Sequence, residues 1–293
     1  MTAEHHRQLA MQAIWNIKTW SKCWPVWEKE LAKRSANFTD ARLVHELGSH
    51  LREVFFSTNT GRRDQSDVSG GGVGWESLVT WYLNLVLSGT NAVAMRQSKK
   101  IMPKTLLDAT TVRYGTHQTN TESDVCVVVY PDDFNFPKAN DTFMSNLDQE
   151  VSNRIGDIEL GVIQCKTNWN DNAQIPMLWD MVYRASFGPG TGIHIGKSGY
   201  SIKHLKRFTY SFVTVPSQKD TKKKKSIPHS SSQIPVKRVS ALTGGNYWGM
   251  PTKSGVALSL SEIFDSNFSV AFNVNVRASI QNAMSAKTGL FSP

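Results

Sequence analysis

Two apolar runs carry polar residues at places where chemistry could gather. Asp124 opens the run Asp124 to Tyr130 (DVCVVVY), and Gln164 and Lys166 close the run Ile158 to Lys166 (IELGVIQCK). Both runs read as buried strands, the first bounded by Ser123 and Pro131. Side chains alternate along a strand, so Gln164 and Lys166 share one face while Ile163 and Cys165 share the other. If the runs pair as an antiparallel hairpin, the Asp124 carboxylate reaches the same spot. A carboxylate, an amide oxygen and an ammonium at a sheet edge suit a divalent cation. Asp124 would bind the ion, Gln164 would add a neutral oxygen, and Lys166 would orient or deprotonate an attacking water.

The elements that must position these groups can be traced along the chain. Residues 4 to 56 read as helices, because Leu43, Val44, Leu47, Leu51, Val54 and Phe55 recur at spacings of three and four, with Thr39 or Asp40 available as N-cap. Gly70, Gly71, Gly72 and Gly74 interrupt that pattern and are expected to form a loop or hinge. No Lys-Ser/Thr follows them in P-loop register, which argues against a nucleotide cradle. Trp75 to Leu87 reads as a strongly apolar helix ending near Gly89. Helical spacing returns at Asp141 to Arg154 and at Ala173 to Ala185, and strand-like runs at Phe208 to Val215, Val256 to Leu260 and Phe268 to Val276. No internal repeat is present. The order predicts a mixed α/β (α+β) domain, a central mixed sheet flanked by helices, with residues 1–60 as a helical N-terminal region and residues 70–293 as the chemistry-bearing part of one compact unit.

An Asp that opens an apolar strand, followed by a second strand ending in an acidic residue or Gln, any residue, and Lys, resembles the PD-(D/E)XK nuclease superfamily, and within it the type II restriction endonucleases. The resemblance covers about residues 70 to 185 and implies a restriction-endonuclease-like fold. It also implies a helix before the Asp strand that contributes a Glu, and Glu76 stands at the first turn of such a helix. By this resemblance Mg²⁺ would be held by Asp124, Gln164 and the Cys165 backbone carbonyl, with Glu76 as an outer or second-ion ligand and Lys166 beside the nucleophile. Gln164 takes the place of the usual acidic residue, and either Glu76 or Glu122 would supply the missing carboxylate. Asp132, in the literal Pro131-Asp132 pair after the first strand, is expected to be a turn residue. The resemblance further implies site-specific hydrolysis of double-stranded DNA, a homodimer, and a cognate methyltransferase as genetic partner.

Charge points to the same substrate. The chain has 293 residues, 33 Lys+Arg against 24 Asp+Glu, and a net charge of +9. Its distribution is uneven. Between Lys197 and Arg238 stand Lys197, Lys203, Lys206, Arg207, Lys219, Lys222, Lys223, Lys224, Lys225, Lys237 and Arg238 with a single acid, Asp220. That segment holds the whole surplus and reads as a footprint for a polyanion. Lys203, Lys206 and Arg207 are interleaved with Tyr200, His204, Phe208 and Tyr210, as on a structured face, and Gly244 to Trp248 is a candidate loop for base contacts. Cys23, Cys126 and Cys165 form neither a disulfide framework nor a zinc spacing. With no signal-peptide pattern, they suggest a reducing, cytoplasmic setting. No run reaches the length of a membrane span: the longest apolar stretch, Trp81 to Leu87, is broken by Asn84.

Two other readings share these features: a repair or recombination nuclease without sequence specificity, and a DNA-binding protein whose Asp124 and Lys166 are structural. All three make the basic segment a DNA grip. Replacing Lys222 to Lys225 by Gln should therefore weaken duplex binding and flatten its salt dependence, measured by titration at several salt concentrations.

Overall fold

The β-branched runs do form adjacent central strands. The structure, a computed structural model, describes residues 3–58, 65–120, 123–166, 182, 186–214, 219–220, 225–226, 246–249 and 276–285. A mixed sheet has the order β1 (Ala92–Arg96), β4 (Val125–Val129), β5 (Glu159–Lys166), β7 (Arg207–Thr214), β10 (Asn246–Gly249). β1 with β4 and β4 with β5 are antiparallel, while β5 with β7 and β7 with β10 are parallel. A smaller sheet joins β3 (His117–Thr119), β2 (Val112–Tyr114) and β6 (Ile193–Ile195), and β8 (Lys219–Asp220) pairs with β9 (Lys225–Ser226).

Strand alternation divides the interior into two cores. Ala92, Ala94, Val125, Val127, Val129, Ile163 and Cys165 belong to the first, beneath α2 (Lys18–Arg34), α4 (Leu51–Ser57), α5 (Gln65–Val86) and α8 (Val276–Ser285). Val93, Met95, Cys126, Val128, Leu160 and Val162 belong to the second, beneath α6 (Lys104–Thr110) and α7 (Phe143–Asn153). Tryptophans fill the first core: Trp20 stacks on Trp24 at 4.9 Å between ring centroids, and Trp24 meets Trp81 edge-on at 5.9 Å. Such pairs add roughly 0.5–1.5 kcal/mol beyond the area they bury. The N-terminal helices are thus one wall of the sheet's own core. Asp40 caps α3 (Ala41–Glu46), accepting from the backbone N–H groups of Arg42 and Leu43.

The glycine stretch departs from expectation, because Gly70, Gly71, Gly72 and Gly74 lie inside α5 and form no loop. An interior glycine costs only about 1 kcal/mol, and packing outweighs it here: a Cβ on Gly74 would stand 3.5 Å from the Trp27 ring. Asn84, the polar break in the apolar stretch, is buried and bonds both peptide groups of Ala94, its amide nitrogen donating to the carbonyl at 2.7 Å and its oxygen accepting from the N–H at 3.0 Å. It closes the open edge of β1 and sets α5 against that strand. Two runs expected as structure, Ala173 to Ala185 and Val256 to Leu260, lie outside the described residues except for buried Val182. So does Phe268 to Val276 apart from Val276 itself, which begins α8. Among the described residues no helix is long and apolar enough to cross a membrane.

α1 (Glu4–Trp15) packs along β1 and is pinned by buried polar groups. The Arg7 guanidinium donates to the Thr90 carbonyl at 2.9 Å. His6 Nε2 contacts the Ile101 carbonyl at 2.6 Å, so it carries the proton, and Nδ1 accepts from the Tyr130 hydroxyl at 2.9 Å. Burial, with smaller contributions from Arg7 and His5, lowers its pKa to about 4. The unfolded chain therefore takes up this proton first as pH falls. Stability should be full above about 6.5 and decline toward pH 4, by roughly 3 kcal/mol for this group. Urea unfolding of wild type and His6→Gln between pH 4 and 7 should show this slope only in wild type.

Candidate functional site

The register of β4 on β5 runs from Val129 opposite Glu159 to Val125 opposite Ile163. Continued by one residue, it sets Asp124 across from Gln164. The Asp124 carboxylate closes the ladder: its Oδ2 accepts the backbone N–H of Cys165 at 2.8 Å. In an extended strand a residue's N–H and C=O leave on the same side, so the Cys165 carbonyl is directed toward β4 as well. Gln164 is buried, 2% exposed, and Lys166 is the last residue of β5, two positions on. The strands thus place the Asp124 carboxylate on the Cys165 backbone and across the ladder from Gln164, whereas the Lys166 side chain, expected at the same spot, lies outside what the structure describes.

Asp124 lines a cavity of about 690 Å³, together with Glu76 from α5, Arg96 at the end of β1, Lys99, Lys104 and Asp108 at α6, and Lys197. Gln164 and Cys165 are buried beside Asp124 and do not line it. Glu76 is a cavity residue, but its Oε2 accepts two bonds from Arg96, 2.9 Å from Nε and 2.7 Å from Nη2. This pair is partly shielded, with the Glu76 side chain 15% and the Arg96 side chain 28% exposed. Lys104 pairs with Asp108 one helical turn away at 2.5 Å. The walls therefore alternate in charge, and the cations outnumber the carboxylates.

Such a donor set fits a hard cation only in a lean way. Among the described residues no group of three or more His, Cys, Asp or Glu could hold a metal. Of the three expected oxygen donors, the Asp124 carboxylate lines the cavity, while the Gln164 amide oxygen is buried and the Cys165 carbonyl lies behind it. That suits Mg²⁺, which keeps several waters and is often bound through one or two carboxylates plus substrate phosphate. Cys126 is no nucleophile, because burial and then the nearby Asp124 charge push its thiol up to about 12.

The remaining expected residues fall in several places. Lys197 lines the cavity, Lys203 stands over the Phe187 ring at 4.7 Å, Lys206 contacts Glu159 at 3.4 Å, and Arg207 opens β7. Lys219 and Lys225 lie in the paired strands β8 and β9. Lys222, Lys223, Lys224, Lys237, Arg238, Gly244, Gly245 and Glu122 are outside the described residues, whereas Asn246 to Trp248 belong to β10 rather than a loop. Asp132 is a turn residue whose Oδ1 accepts from Asn91 at 3.2 Å. Sequence reasoning missed Arg96, Lys99, Lys104 and Asp108; the one available signal was a short apolar run ending in Arg96 just before Lys99 and Lys100.

The Asp124 to Cys165 bond separates fold from chemistry. Asp124→Asn keeps an acceptor for the Cys165 N–H and should melt close to wild type, whereas Asp124→Ala should lose about 1–3 kcal/mol in denaturant unfolding. No family model matches this chain, and no curated protein matches it.

Proposed function

We propose that the chain is a type II restriction endonuclease, a Mg²⁺-dependent enzyme that hydrolyses double-stranded DNA at specific sites. The observation that supports this best is the closure of the β4–β5 ladder by Asp124, whose carboxylate holds the Cys165 backbone, across from Gln164, at a cavity where cations outnumber carboxylates. The mixed sheet, with a helix ahead of the Asp strand bearing Glu76 on the same cavity, agrees with a restriction-endonuclease-like fold.

Asp124, Gln164 and the Cys165 carbonyl would hold the ion. When bound, Mg²⁺ would polarise a phosphoryl oxygen and lower the pKa of a coordinated water. Lys166, the last residue of β5, would orient that water for in-line attack and offset developing negative charge. Glu76, with one oxygen engaged by Arg96, would accept from water in the outer shell. Arg96, Lys99, Lys104 and Lys197 would draw in the phosphate backbone and counter its charge. Cutting both strands of a symmetric site would call for a homodimer, and a host genome would need a cognate methyltransferase for protection.

Phage DNA incubated with the purified protein and Mg²⁺ should yield discrete fragments, and Asp124→Asn and Lys166→Ala should yield none. A smear would instead favour a repair or recombination nuclease. Salt-sensitive binding without cleavage in any divalent ion would leave a DNA-binding protein, and cutting that persists in either variant would overturn the site.

A further inference from the structure

The small sheet stands at the rim of the cavity and is anchored to it. Thr111, immediately before β2, and Asn120, immediately after β3, both line the cavity. Asn120 Nδ2 donates to the Leu107 carbonyl at 3.1 Å and to the Thr111 hydroxyl at 2.8 Å, joining the two feet of the hairpin. The Gly196 N–H donates to the Thr111 carbonyl and the Gly115 N–H to the Gly192 carbonyl, each at 2.8 Å, which ties β6 alongside. Lys197, just past β6, is again a cavity residue. Gly115, at the hairpin tip, has φ +59°, a conformation that glycine adopts without strain.

The two faces of this sheet differ. Val112, Tyr114, Ile193 and Ile195 pack against the second core. Arg113, paired with Gln118 on one side and His194 on the other, presents the opposite face. Gln118 and His194 are exposed, and Arg113 lies half-buried between them with its Nε making no hydrogen bond among the described residues. No Asp or Glu occurs in residues 109–120 or 186–206, the segments that contain the three strands, whereas Lys and Arg do; Asp108, just before the first segment, is paired with Lys104. A merely solvated face would be expected to mix both signs.

We propose that the row Gln118, Arg113, His194 contacts base edges in the major groove of duplex DNA and sets which sequence the enzyme prefers. This rests on the nuclease reading above. Three strands set about 4.8 Å apart make a row about 10 Å across, which a groove about 12 Å wide admits. The side chains suit the edges displayed there: Arg is matched to guanine, Gln to adenine, and His can donate or accept. The absence of acids from the segments that form the sheet, with Lys197 beside it, favours phosphates on either side.

The test is selection from a pool of random-sequence duplexes, bound in EDTA and sequenced, with wild type, Gln118→Ala, His194→Ala and Arg113→Lys. Gln118 and His194 are exposed, and Arg113→Lys keeps the charge while removing the fork, so melting curves should match wild type. Wild type should enrich a motif, and each variant should lose preference at one or two positions by about fivefold or more. Variants that enrich the same motif as wild type overturn the inference alone. Binding by wild type without any enriched motif also overturns it while leaving a non-specific nuclease standing. Failure of wild type to bind duplex both in EDTA and with Ca²⁺ added removes the nuclease reading and the inference together.

Discussion

The register of β4 on β5 is the constraint on which the site depends. Every residue of β4 is buried, and its faces serve two different cores, Val125, Val127 and Val129 in one and Cys126 and Val128 in the other. A slip of β4 by one residue would exchange those faces, turning Asp124 away from the side it now shares with Gln164. The hydrogen bond from the Cys165 N–H to Asp124 adds a second lock. A carboxylate so engaged cannot rotate away without leaving a buried donor unmet, which costs about 1–3 kcal/mol. The site is therefore set by hydrophobic packing and held by one charge-assisted bond.

Charge pairing then shapes what the cavity can attract. Glu76 and Asp108 each meet a cation, Arg96 and Lys104, so carboxylates do not crowd together as they would at a tight cation cage. Lys99 and Lys197 add positive charge to the same walls. An anion with several oxygens, such as a phosphodiester, suits this balance. A metal would find a shallow set of protein oxygens and would rely on substrate and water for the rest. Asn84 contributes at a distance: by bonding both peptide groups of Ala94 it fixes α5 against β1, and those two elements carry Glu76 and Arg96.

The sequence disclosed what strong local signals carry. The β-branched runs around Val127 and Val162 read as paired strands and Asp132 as a turn, and both hold, while of the two N-cap candidates, Thr39 and Asp40, the structure uses Asp40. The glycines before Trp75 misled, since tertiary packing on Trp27 and Phe55 overrides their weak helix propensity. β1 escaped notice because Ala92 to Arg96 holds only one β-branched residue, and without it the Arg96 partner of Glu76 had no address. Strands of three residues, such as β2, β3 and β6, carry too little periodicity to be read in advance. Charge counting located the basic segment, yet Arg96, Lys99 and Lys104 reach the same cavity from elsewhere in the chain.

Diffraction from crystals soaked in Mn²⁺, an anomalously scattering substitute for Mg²⁺, addresses the proposed metal site without depending on a DNA sequence. A peak within coordination distance of an Asp124 carboxylate oxygen and of the Gln164 amide or Cys165 carbonyl oxygen is expected. A peak elsewhere, or the same peak in Asp124→Ala crystals, would contradict the assignment of Asp124 as the residue that holds the ion.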